Sequence, residues 1–520
     1  MTNLKLLQTG TSGPHAFKII GFGGLLPGLA QIAHNRVPIA SSPIKRVMVL
    51  MLFLLGVIPV AAQQSSDPIL VTGDQLNGRV ENGQNIREVT GHVVLRQGNV
   101  VITCERALQY LAQNNAHLIG NVVIKQDTLT IKTPEGYYYG NEKRAYSNSG
   151  IELDDKKVVL TAKEGEYFFK AQQANFKINV KLYDTASTLT SQKLIYYRKI
   201  NNATAYENVK IVESENTIYS DSLIHLRTEK ISYAFSNTVL HNTKDGLFIF
   251  GNHLEDFRAK NYSLVDKDPL LIQFDTTFSA KKDSVIRIDT MIIKALRMEA
   301  YRDTNNLFIA KDSVKIYRGD FLSSNDISYF NRKEGYIDTW KLTDSNRAPV
   351  LWYGLSQMSG DSIRIYTTES KISSVAIRNN AMLISQNEKY PKRYDQISGN
   401  TIKLFFKDNQ LDKTEVLGNA LSYYYFYDED EDADGIIKAS ARTIFVFFKD
   451  KKVKDVKMYG DPKNEYHPEN LVVDKEKTFS LPGFVLYTDK PKKEVLLNSV
   501  VNLRLADIFK ISKKGKNEFN

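Results

Sequence analysis

The sequence predicts an all-β protein, a repetitive antiparallel β-jellyroll or solenoid in two consecutive blocks. Three observations predict it. Short runs rich in Val, Ile, Thr, Tyr and Phe alternate apolar and polar residues, the two-residue period of a half-buried strand. These runs recur at a constant interval over the first half of the chain. Polar turn clusters separate them at matching spacing, as at Gln97-Gly98-Asn99, Asp154-Asp155-Lys156-Lys157 and Glu213-Ser214-Glu215-Asn216. No long stretch with helical spacing competes with this pattern. The 42% hydrophobic and 25% charged composition is that of a folded chain rather than a disordered one.

At the N-terminal side, Lys45 and Arg46 precede the apolar run 47–62, which leaves through Val60 and Ala62. A basic flank, an apolar stretch and small residues at the exit predict a secretory signal peptide, cleaved after Ala62. The run of about sixteen residues is shorter than the ~20 that a spanning helix needs. Gln63 rather than Cys follows, which excludes a lipoprotein. Residues 1–44 show no pattern and are read with this segment as an N-terminal extension, 1–62, the product of an over-extended start.

Residues 67–255 carry the first repeat block. An apolar residue falls at Ile102, Ile131, Leu160, Leu189 and Ile218, in steps of 29. Two positions later stands a small residue: Cys104, Thr133, Ala162, Ser191, Ser220. Eight positions after the first comes a large apolar one: Tyr110, Tyr139, Phe168, Tyr197, Leu226. A second ladder runs through Val93, Val122, Ile151, Val180 and Val209, often preceded by Gly or Asn, as in Gly120-Asn121-Val122. Each unit thus reads as two strands, for example 116–124 and 129–139. The small-residue ladder has two open readings, a bend in each strand or tight packing between units.

Residues 256–350 are less regular, although 321–329 still resembles 218–225. A second repeat block, 351–468, aligns Ile363, Ile402 and Ile444, then Ile365, Leu404 and Val446, at intervals of 39 and 42. Beyond Pro468 the repeat ends. Residues 469–520 read as a basic tail that would fray.

Stacked units of one length bury a continuous core, because no single unit covers its own apolar face. The expected inward ladder is Ile102, Ile131, Leu160, Leu189, Ile218, Val122, Ile151, Val180, Val209, Tyr139 and Phe168. If the two sheets meet, these rows are plain core. If the sheets splay along one side, the rows line a groove that would hold an acyl chain at ~0.8 kcal/mol per CH₂.

The signal peptide, the rhythm Val89-Thr90-Gly91-His92-Val93 and the repeated second strands resemble the OstA/LptA-like periplasmic family of lipopolysaccharide transport. The resemblance covers 67–255 closely and 320–462 more loosely, and is nearest the extended OstA-like proteins of Bacteroidetes type. It implies a twisted β-jellyroll in the periplasm that shields the lipid A acyl chains. It implies as partners an inner-membrane Lpt export complex and an outer-membrane LptD-like protein, together with end-to-end self-association through sheet edges.

No enzyme motif accompanies the repeat. The eight histidines do not cluster, and no His-Glu-x-x-His, Cys-x-x-Cys or Gly-x-Ser-x-Gly occurs. The expectation is therefore no catalytic residue, no metal and no cofactor. His92 stands where the next unit has Asn121, a turn position. The acidic run Asp428–Asp434 would need Glu at position 441 to complete a calcium loop, and finds Ala441. It reads as a solvated hairpin loop. With one cysteine, Cys104, no intrachain disulfide forms. The net charge of +10 suits an anionic partner; nucleic acid is not expected. Two other readings stay open: a structural or adhesive β-solenoid of the envelope, and a polysaccharide-acting β-helix enzyme. The second requires carboxylates gathered on adjacent rungs.

Overall fold

The computed structural model describes residues 67–499, apart from 279–284, 305, 343–346, 369–370, 409, 429–431 and 450–451. The extension, the signal peptide, the lysines at 510–516 and the centre of the acidic run lie outside the described residues. Within them, 32 strands join in one hydrogen-bonded network of antiparallel pairs. The protein is all-β and antiparallel.

The repeating device is a corner inside each long strand. The strands Val100–Tyr110, Asn115–Gln126 and Leu129–Tyr139 follow one another as hairpins. Their register breaks midway, between Thr103 and Arg106 and between Ile119 and Val122. At the break one strand places two consecutive residues in the left-handed region: Gly91 and His92, Gly120 and Asn121, Glu207 and Asn208. This inserts an extra residue opposite the partner, a β-bulge that bends the pair. Gly and Asn recur here because they enter that region at least steric cost. At Gly120 a Cβ would also lie 2.3 Å from Oε2 of Glu105.

The facing strand bends at the small-residue ladder. Thr133 Oγ1 donates to the Glu135 carbonyl at 2.8 Å, Ser191 Oγ to that of Lys193 at 2.9 Å, and Cys104 Sγ to that of Arg106 at 3.3 Å. The same local bond, side chain to the carbonyl two residues on, holds the bend in three units. These small residues therefore mark the corner. Burial raises the Cys104 thiol to about 11, which keeps it protonated and a donor.

The corner also resets the inside–outside alternation. In Leu129–Tyr139, Leu129, Ile131 and Thr133 face in, Pro134 and Glu135 both face out, and Gly136 and Tyr138 face in. The inward aromatic ladder is therefore Tyr138, Tyr167 and Tyr196, each fully buried. Tyr139 and Phe168, expected inside, are half-buried on the opposite face. The expectation carried the two-residue period unbroken across the bend, and the bend shifts the phase by one.

Each strand so folded has two limbs, and the limbs of successive strands stack into two facing layers joined along the corners. One core cluster runs between the layers from Ile69 to Phe330 and another from Leu351 to Val446. Each large aliphatic side chain buried there contributes roughly 1.5–3 kcal/mol. The described residues of 256–350 continue the antiparallel network, with a left-handed corner at Asp312 and Ser313. Later strands are longer, such as Gln410–Tyr427 and Ala433–Lys449.

Beyond Pro468 the chain returns across the outer face of these longer strands instead of fraying. Gln396 donates to the Phe479 carbonyl and accepts from the Leu481 amide, both at 2.8 Å. Gln357 grips the Val485 carbonyl at 2.7 Å and the Tyr487 amide at 2.8 Å. Val472 and Leu481 cover Met382, Ile384 and Tyr425, an apolar outer patch that gives the segment its reason to stay.

The phase shift has a measurable consequence. Tyr138→Ala is expected to cost about 3–5 kcal/mol, the cost of emptying a buried aromatic site. Tyr139→Ala is expected to cost about 1 kcal/mol or less. Urea titration of both variants checks this; equal costs would contradict the assigned phase.

Candidate functional site

Folding every strand at a corner leaves its two ends on the opposite side, where two rows of turns meet. One row holds Gln97, Thr128, Asp155, Asp184 and Glu213; the other holds Tyr138 to Gly140, Arg198, Arg227 and Arg258. Among the described residues no strand pairing joins the rows there; side chains close the seam. Tyr138 donates its hydroxyl to Gln97 at 2.6 Å, and Gln97 donates to the Gly140 carbonyl at 3.0 Å. Tyr196 donates to Asp155 Oδ2 at 2.8 Å. Arg198 lies 3.8 Å from the same oxygen and donates to Thr128 at 2.8 Å. Arg227 pairs with Asp184 and also donates to Asn201 at 3.3 Å. Arg258 pairs with Glu213 at 3.0 Å.

The aspartates serve the turn and the seam with different oxygens. Asp155 Oδ1 accepts from the amides of Lys157 and Val158, at 2.9 and 3.0 Å. Asp184 Oδ1 accepts from those of Ala186 and Ser187, both at 2.7 Å. These are Asx turns, and they leave each Oδ2 for the facing lip. Burial works to raise the Asp184 carboxyl, but the two amides and Arg227 hold it below its ordinary range. Burial raises Glu213, with Arg258 opposing.

Beneath the seam lies the predicted ladder. Ile102, Ile131, Leu160, Leu189, Ile218, Val122, Ile151, Val180 and Val209 are all buried in one cluster. The space among Leu118, Val122, Ile131 and Ala145 is too small for water. In this part the rows fill their own interior. Tyr139 and Phe168 stand apart from them on the outer face, where Arg144 lies 4.1 Å over the Tyr139 ring.

Farther along, the seam changes character. Phe321 and Tyr353, on one row of turns, stack at 4.4 Å, and each meets Phe406 of the other row edge-on, at 5.7 and 5.5 Å. These three, with Leu411, Phe448 and Val453, are only partly buried against the core beneath them. The lips here are apolar and partly open to solvent.

Sequence reasoning missed both forms of the seam. A signal existed for the first: Asp155, Asp184 and Glu213 repeat at the ladder's own interval of 29, as do Arg198 and Arg227. The second had none, because Phe321, Tyr353 and Phe406 meet only across layers. His92 takes its predicted turn position, at φ 42°, with Nδ1 2.8 Å from Asp74. Among the described residues no group of three or more His, Cys, Asp or Glu side chains is placed to hold a metal ion.

A family model for OstA-like proteins matches residues 67–221. No curated protein matches the chain. Among solved structures the chain is similar to LptH of Pseudomonas aeruginosa, titled the LptA-homologous periplasmic component of its lipopolysaccharide transport device. Identity is 14%, over 33% of this chain and 83% of that one, with a TM-score of 0.10.

His225, buried at the seam with Nδ1 3.0 Å from Ser232 Oγ, makes stability depend on pH. Burial, with Arg227 adding, lowers it from 6.5 to about 4. The unfolded chain therefore binds this proton first as pH falls, and stability drops between about 6.5 and 4. Replacing His225 with Gln is expected to remove about 2–4 kcal/mol of that acid-induced loss. Urea titrations of parent and variant at neutral and acid pH measure it, and an unchanged pH dependence would refute it.

Proposed function

Residues 67–221 belong to the OstA-like family, and from that premise we propose that the chain binds lipopolysaccharide and carries it across the periplasm, with the acyl chains shielded between the two layers. The observation that carries this reading is the seam. Among the described residues the layers are joined by backbone hydrogen bonds along the corners, whereas the opposite side is closed by side chains. Parting the lips therefore breaks a few latches and leaves the strand ladders whole. The interior so exposed is a continuous aliphatic row, suited to fatty tails that gain ~0.8 kcal/mol for each CH₂ withdrawn from water. Around Phe321, Tyr353 and Phe406 the lips are already apolar and partly exposed, which makes this the favoured point for the tails to slip between them.

The ends of the stack supply the contacts such a carrier needs. The strand Gln75–Glu81 pairs on one side, with Leu76 and Val80 exposed. The strand Lys452–Tyr459 likewise pairs on one side, with Val456 and Tyr459 exposed. Unpaired edges with apolar side chains accept an added strand. In this reading they meet an inner-membrane export complex, an outer-membrane assembly protein or a second copy of the chain.

A second reading, a structural β-repeat of the envelope, is favoured by the filled interior between Ile69 and Phe330. Lipid separates the two. The carrier reading expects lipopolysaccharide in the mass spectrum of protein purified from native envelopes without delipidation. It also expects a photo-crosslinking residue at position 406 to capture that lipid in far higher yield than one at position 160. Protein free of lipid under these conditions, with no adduct at either position, would leave the structural reading.

A further inference from the structure

The seam between Thr128 and Arg258 is closed by charge, although an apolar closure would seal an aliphatic core at lower desolvation cost. Arg198, Arg227 and Arg258 all project from one row of turns, and Asp155, Asp184 and Glu213 all project from the other. These three cross-lip pairs keep one sign to each row, although Lys156 and Lys157 share the Asp155 turn and Glu229 shares the Arg227 turn. Two strands per rung, at ~4.8 Å each, space successive arginines ~10 Å apart. Two of the pairs have one deeply buried partner: the Asp155 side chain is 1% exposed and that of Arg227 is 6% exposed, whereas Arg258 in the third pair is 34% exposed. Nη1 of Arg227 has no hydrogen-bond partner among the described residues, although the guanidinium is buried. A buried guanidinium with an idle donor is a site with spare capacity for an anion.

We propose that this row of arginines is a phosphate-operated gate for an anionic amphiphile, in which headgroup phosphates replace the lip carboxylates and the exchange parts the seam above the aliphatic interior. The inference rests on the carrier reading and adds how the seam opens and which headgroup opens it. A phosphate offers an arginine the same two-oxygen geometry as a carboxylate, with an additional oxygen for the idle Nη1. Released, Asp155 and Asp184 keep their Oδ1 bonds to the turn amides, so the lip they belong to stays folded while it moves. A headgroup with two phosphates on a scaffold about 10 Å long would engage two rungs together. No bond is made or broken in the exchange beyond hydrogen bonds and ion pairs.

Opposite substitutions on the two lips test this. Asp184→Asn retains the Oδ1 acceptor of the Asx turn and loses the charge that holds Arg227. Combined with Glu213→Gln, it should release the latch and leave the fold intact, as thermal unfolding would report. Uptake of a lipid A carrying an environment-sensitive fluorophore on one acyl chain is measured with the full secreted chain, using bis-phosphorylated and dephosphorylated forms. The parent should prefer the phosphorylated form about tenfold or more, and inorganic pyrophosphate should slow uptake of that form alone. The carboxylate variants should take up both forms faster. Arg227→Gln with Arg258→Gln should reduce the preference to near one. Uptake by the parent that is indifferent to phosphorylation would overturn the gate and leave the carrier reading standing. So would changes of the same direction on both lips. Pyrophosphate binding to the arginines without any effect on lipid uptake would mark a free-phosphate site and likewise overturn the gate. If neither the parent nor the loosened variants take up either lipid, the carrier reading fails and the gate fails with it.

Discussion

The structure depends on one backbone constraint, the pair of left-handed residues in one strand of a pair that folds both strands in half. A strand pair without an extra residue stays a ribbon with two faces, and a stack of such ribbons is a single sheet. The bulge at Gly120 and Asn121, met across the ladder by the Thr133 bend, turns the ribbon through a corner and sets the two limbs against each other. The buried rows, the aromatic phase and the location of the seam follow from it. It also explains why Cys104 stands in line with Thr133 and Ser191. The position needs a small side chain, as Ala162 shows, and where that side chain is a donor it bonds the carbonyl two residues on, a protonated thiol as a hydroxyl does.

A corner on one side leaves free ends on the other, and their closure is where the chain differs along its length. From Gln97 to Arg258 the lips are held by polar side chains over a filled interior. From Phe321 to Val453 they are held by aromatic and aliphatic side chains that solvent partly reaches. Buried ion pairs contribute little net stability, since the cost of stripping water from both partners offsets their attraction. Their value lies in specificity. They join the lips in one register, rung against rung, and in the proposed gate an anion disengages them. The apolar stretch has no such selectivity and needs only a greasy partner. In the carrier proposed above, the two kinds of lip would discriminate by headgroup along one part of its length and let tails slide along another.

The returning segment after Pro468 has a different role. The strands beyond Val350 are long enough to place a second set of apolar residues on their outer face, among them Met382, Ile384 and Tyr425. Gln357 and Gln396, 39 residues apart and therefore at equivalent places in successive units, each hold the segment's backbone by both amide atoms. The segment is thereby fixed lengthwise across the strands, covering the patch without extending the sheet.

The sequence by itself determined the all-β class, the 29-residue unit, the turn positions and the nine aliphatic residues of the inward ladder. Each of these depends on local alternation and turn chemistry, which the chain states directly in the order of its residues. The tertiary structure decided the rest. Tyr139 and Phe168 fall outside because a corner shifts the phase, and the corner is visible only once two strands are paired. The seam partners sit some 40 residues apart on facing turns, as Tyr138 and Gln97 do. No local pattern records which turn faces which. Whether an apolar row is core or groove is likewise a matter of the distance between two layers, and that distance is set by packing across the fold.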